Sequence, residues 1–124
     1  MSYEIPGFKL GTLKASVDLS AQQYHAVSIS GTGTVALCGA GLIAVGVLQN
    51  KPISGDSAEI DCSGVTKMVA GAAITPGTES RVMSDSTGRA ITAATAGSKV
   101  LGIALEAATA AGQIIAVKLL PSVF

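Results

Sequence analysis

The 124-residue chain has no tryptophan, two tyrosines, two phenylalanines and one histidine, His25. A serine or cysteine nucleophile needs a base within hydrogen-bond reach, so a single histidine leaves little from which to assemble a catalytic triad. Serine and threonine are common throughout, and a Ser–His–Asp combination drawn from them carries no information. The two cysteines, Cys38 and Cys62, lack CxxC spacing and with one histidine do not make up a zinc ligand set. They are expected as reduced, half-buried thiols, with a disulfide between them as the alternative. Excess charge is missing as well: eight basic and eight acidic residues cancel, and the bases are scattered from Lys9 to Lys118. A nucleic-acid surface needs clustered Lys and Arg, so no nucleic acid partner is expected. The longest near-apolar run, Val35 to Leu48, is 14 residues with three glycines, short of the ~20 that span a bilayer. No membrane partner is expected. The N-terminus carries Glu4 and Pro6 where a signal peptide would be apolar, which predicts a chain made and folded in the cytoplasm.

What is present is aliphatic and glycine-rich: 48% of residues are hydrophobic and 15 are glycine. That balance, with no net charge, excludes a disordered chain. Short runs of Val, Ile and Leu set off by Gly, Ser, Thr or Pro predict strands at 26–30, 35–38, 43–48, 58–62, 67–70, 99–104 and 114–120. In Ala58-Glu59-Ile60-Asp61-Cys62-Ser63 the apolar residues alternate with polar ones, as in a strand with one solvated face. The expected fold is all-β, a small single-domain barrel or sandwich.

Two turn signals, Ser30-Gly31-Thr32-Gly33 and Asp85-Ser86-Thr87-Gly88, stand 55 residues apart. The offset recurs in Val27 with Val82 and in Leu19-Ser20 with Ile74-Thr75; after one-residue slips Gly46 matches Gly102 and Gly55 matches Gly112. This predicts two pseudo-repeats of about 55 residues, 14–66 and 67–121, behind an extended N-terminal arm of residues 1–13. Glu106 to Ala111 has helical propensity, but its counterpart 50–55 contains Pro52 and Gly55, so both are expected as loops between strands.

Val35-Ala-Leu-Cys-Gly39-Ala-Gly41-Leu-Ile-Ala44 follows the GxGxxA dinucleotide pattern, with Asp61 about twenty residues on. Strand and Pro52 follow instead of the obligatory helix, and no cofactor is expected. Asp56, Glu59 and Asp61 lie outside any calcium-loop pattern and are expected as a solvated face, with no metal. Neither Lys51 nor Lys67 has the flanks of a biotinyl or lipoyl carrier lysine.

The segments Ala44-Val-Gly-Val-Leu-Gln-Asn-Lys-Pro52, Val69-Ala-Gly-Ala-Ala-Ile-Thr75, Ser84-Asp-Ser-Thr-Gly-Arg-Ala90 and Leu101-Gly-Ile-Ala-Leu-Glu-Ala-Ala108 together resemble the capsid-cement, or head-decoration, proteins of tailed bacteriophages. The resemblance spans roughly residues 15–120. It implies a non-enzymatic virion structural protein that binds the major capsid protein on the outer surface of the matured head and braces it, commonly as a trimer. Another virion subunit, from a tail tube or fibre base, is the alternative; a small β-barrel carrier is a more distant one. Three of the four aromatics lie at the termini. Because large apolar side chains serve cores or interface anchors, the arm residues Tyr3, Ile5, Pro6, Phe8 and Leu10 are expected to bind the capsid, and Val123 and Phe124 to serve self-association. An arm folded back on its own barrel is the alternative.

Overall fold

The structure, a computed structural model, describes residues 9–40, 42–76, 81–93 and 99–123. These form eleven strands and no helix: β1 (Lys9–Leu10), β2 (Lys14–Ala15), β3 (Ala26–Gly31), β4 (Thr34–Leu37), β5 (Gly46–Leu48), β6 (Ile60–Asp61), β7 (Gly64–Val69), β8 (Arg81–Ser84), β9 (Ala90–Thr92), β10 (Lys99–Ala104) and β11 (Ile114–Val123). They build two sheets, ordered β1-β6-β5-β3-β4-β2 and β7-β11-β10-β8-β9. The all-β expectation holds. Several strands are shorter than the apolar runs predict. The run from Ile43 becomes a strand only at Gly46, because Leu42 first turns back to bond its N–H to Gly39 O.

Apart from β2 the two sheets carry the same order of strands, and several bonds of their connections recur. Parallel pairing of Ala15 with Val35 is matched by a parallel bridge of Ala70 with Ala90. Leu19 N donates to Pro52 O at 2.9 Å and Ile74 N to Ala108 O at 2.8 Å; Gly55 N donates to Ala15 O and Gly112 N to Ala70 O, both at 2.8 Å. The two tight turns place Gly33 and Gly88 at φ of 72° and 77°, a left-handed conformation that glycine adopts without a Cβ penalty.

Two cores result. Inside the first sheet Ala15, Leu19, Val27, Val35, Leu48, Ala58 and Ile60 pack together. Inside the second, Met68, Ala70, Ile74, Val82, Ala90, Leu101, Ala104, Val117 and Leu119 pack with three residues from the other face of the first sheet, Ala26, Cys38 and Val47. Among the described residues no aromatic ring enters either cluster. Burial of the β6 face that carries Asp61 differs from expectation: the residue is 2% exposed, because β6 is flanked by β1 and β5 and Asp61 shares its face with the packed Val47. Glu59 remains exposed.

Small side chains let the backbones approach closely. A Cβ on Gly46 would collide with the carbonyl oxygen of Asp61, and one on Gly102 with that of Lys118. Both obstacles are main chain in a paired strand, which cannot swing aside. Gly46→Ala and Gly102→Ala should each lower stability by about 1–3 kcal/mol, read as a reduced urea midpoint with an unchanged slope; a midpoint equal to wild type would show that the strands can separate without cost.

Candidate functional site

The segment Gly46 to Pro52 works as a clamp. Gln49 donates its main-chain N–H to Glu59 O at 2.7 Å, while its amide Nε2 reaches Val47 O at 3.0 Å and Thr66 Oγ1 of β7 at 2.7 Å. Thr66 is buried, so this bond ties the first sheet to the second away from water. Asn50 closes the loop to β6, donating Nδ2 to Ser57 O and accepting from Glu59 N through Oδ1, both at 3.0 Å.

The Asp85–Gly88 turn forms the other side of the joint. Asp85 Oδ1 accepts from Thr87 N at 2.9 Å, Thr87 Oγ1 at 3.1 Å and Arg89 N at 2.9 Å, and Oδ2 lies 3.2 Å from Arg89 Nε. This Asx arrangement holds Gly88 so that its carbonyl accepts from Ala26 N of β3 at 2.6 Å. Ser84 Oγ adds a bond to Cys38 O at 3.4 Å. Tyr24, at φ 66°, completes the joint: it donates to Leu48 O at 2.7 Å and accepts from Val69 N at 3.0 Å. The Lys67 ammonium lies 5.9 Å from its ring centroid.

These groups are engaged in architecture. His25 Nδ1 lies 3.2 Å from Gln23 O. Cys38 and Cys62 are free thiols. Burial pushes the Cys38 thiol above its ordinary pKa; burial and then the Asp61 charge do the same for Cys62. Raised thiols are poor nucleophiles at neutral pH. Beyond β4 the GxGxxA segment runs through coil into β5. Among the described residues no three His, Cys, Asp or Glu side chains gather as a metal site. Lys51 is exposed in the β5–β6 loop, and Lys67 lies within β7 instead of at a hairpin tip.

Of the expected binding residues, Leu10 lies in β1 opposite Ile60, and Val123 ends β11 opposite Lys99. Tyr3, Ile5, Pro6, Phe8 and Phe124 lie outside the described residues. The sequence reading missed a group of exposed apolar residues. Leu42 and Ile43, in the β4–β5 loop, are 59% and 69% exposed. Val17 and Ile53 are exposed on neighbouring segments, bracketed by the Gly55–Ala15 and Leu19–Pro52 bonds. Ile114 and Leu120 flank the exposed Lys118 along β11. Gly39 and Gly41 just before Leu42, with no alternation through Val45, were the available sign that the strand starts late.

Partial burial tends to raise the pKa of the Asp85 carboxyl, but the N–H groups of Arg89 and Thr87, the Thr87 hydroxyl and the Arg89 charge outweigh it and hold the group below its ordinary value. A depressed carboxylate stabilises the fold above its unfolded pKa of about 3.9, and that contribution is lost as pH falls through the folded value. Asp85→Ala should cost about 1–2 kcal/mol at neutral pH. The gap to wild type should narrow in thermal melts below about pH 4; a gap that stays constant with pH would show that the charge contributes nothing.

With this geometry in hand, the likeness to known proteins becomes specific. The fold is similar to that of the head fibre gp8.5 N base of bacteriophage phi29, with a TM-score of 0.71 and 18% identity over 94% of this chain and 98% of that one. No curated protein matches the chain. The sequence pattern of phage cement proteins matches residues 12–119, the whole body from the loop before β2 to Leu119 of β11. The chain therefore belongs to the phage cement protein family and is a structural protein of a phage virion.

Proposed function

We propose that this protein binds the outer surface of the matured phage head, by contact with the major capsid protein, and stabilises the shell without catalysing a reaction. The observation that carries the reading is the family match across the β body. It is supported by a joint whose polar groups are taken up in holding two sheets together. Many weak contacts repeated on a lattice add through effective concentration, so a modest patch on each copy holds firmly. In this reading the protein is made and folded in the host cytoplasm and joins the head as a trimer. The arm residues Tyr3, Ile5, Pro6, Phe8 and Leu10 anchor it to the shell, while Val123 and Phe124 contribute to self-association. The shared order of strands and the recurring bonds further support a duplicated origin for the two halves.

Matured heads of the parent phage lacking this protein should bind the purified chain saturably, with a copy number set by the shell lattice, in a sedimentation assay. Absence of binding by folded protein would overturn the reading. Deleting residues 2–8, which spares β1, should weaken binding by about tenfold or more while the melting curve is retained; undiminished binding would remove the arm from the contact.

A further inference from the structure

The recurring bonds fix which loop positions of the two halves are equivalent. Ala15 N donates to Asp56 O at 2.9 Å, and Ala70 N to Gln113 O at 2.7 Å. Together with the Leu19–Pro52 and Ile74–Ala108 bonds, this aligns Val17 and Asp18 with Ala72 and Ala73, and Asp56 with Gln113. All six positions are exposed, so the fold requires neither bulk nor charge there. The first half nevertheless carries Val17 and Ile53 at 50% and 55% exposure, where the second half has only Ala, Thr and Gln on the corresponding loops. Asp18 adjoins Val17 in the chain, and Asp56 N bonds to Ile53 O at 3.0 Å, so each aliphatic side chain has a carboxylate close by. Asp18 accepts from Ser20 N at 3.0 Å. Among the described residues neither carboxylate is paired with a cation, Lys51 of the same loop included.

β11 carries the opposite charge on a similar aliphatic ground. Lys118 is exposed, Leu120 two residues on is 48% exposed, and Ile114, on the same face as Lys118, is 46% exposed. Lys67 of β7 lies opposite Ala116 and adds a second cation to this part of the sheet. Among the described residues no carboxylate pairs with Lys118 or Lys67, and the nearby Glu106 carboxylate is bonded to Ala116 N at 2.8 Å. A lysine stem lies on apolar surface while its ammonium stays in water or meets a carboxylate. The charge is also divided along the chain: residues 1–63 hold three bases and five acids, and residues 64–124 five bases and three acids.

We infer that the loop surface of one molecule, at Val17, Asp18, Ile53 and Asp56, binds the β11 surface of a second copy, at Lys118 and Leu120. A second copy is the fitting occupant because the chain carries both surfaces, each exposed, each built on aliphatic side chains, and opposite in charge. The aliphatic contact supplies the buried area, and the charges set which surfaces meet and in what orientation. The contact is heterologous, so copies close into a ring or extend as a chain. It does not depend on the cement reading.

Sedimentation equilibrium of the full chain over a concentration series tests it. The wild type should associate with rising concentration. Raising the ionic strength from about 0.1 M to about 1 M, which shortens the screening length from about 10 Å to about 3 Å, should move the midpoint to higher concentration. Asp18→Lys and Lys118→Glu should each move it at least about tenfold higher. A chain carrying both reversals should return to near the wild-type midpoint, since the exchanged charges meet again. Thr32→Lys with Ser86→Lys gives the same net charge as Asp18→Lys but places the lysines in the two hairpin turns, and should associate as wild type does. Thermal melts confirm folding, and Asp56→Lys replaces Asp18→Lys if loss of the bond to Ser20 unfolds the chain. A wild type that stays monomeric, single reversals that associate as wild type does, a double reversal that does not recover, or a turn variant weakened as much as Asp18→Lys would overturn the inference.

Discussion

The structure depends on one close approach: the outer face of the first sheet seated in the mouth of the second. Ala26, Cys38 and Val47 are small enough to let the sheets meet at main-chain distance, where Ala26 N bonds directly to Gly88 O at 2.6 Å. Apolar packing supplies the attraction, and its strength follows the area removed from water. Among the described residues that area comes from many aliphatic contacts at short range. Glycine is consequently required at Gly88, where a Cβ would meet the main chain of Ala26.

That constraint explains why the segments resembling cement proteins read as structure. Gln49, Asp85, Gly88 and Gly102 lie at the joint or at strand contacts, and their polar groups are spent on neighbouring backbone and on Thr66. Among the described residues the side chains of Asn50 and Asp85 lock loops in the same way. Apolar side chains are exposed at several places on the surface, in loops at Leu42, Ile43 and Ile53 and on strands at Ile29, Ile114 and Leu120.

The sequence was legible where a strand is long enough to alternate. β3 and β10 fall close to their expected limits because their Val, Ile and Leu runs end in a turn or bend, while β11 starts where expected and runs past 120 to Val123. β8 and β9 were not named as strands: Arg81-Val-Met-Ser and Ala90-Ile-Thr are too short and mixed to show a period, and they exist because β10 and the Asp85 turn hold them in place. Asp61 looked solvated because alternation reports which residues share a face, and says nothing about whether a second layer covers it. The incomplete burial of Leu13, Val45 and Cys62 was hidden for the same reason, since they look like ordinary strand residues.

The joint between the two sheets also sets how the chain resists being pulled apart. Resistance to separation comes from interfaces loaded together, and the joint within the chain is such an interface, combining buried aliphatic contact with main-chain bonds.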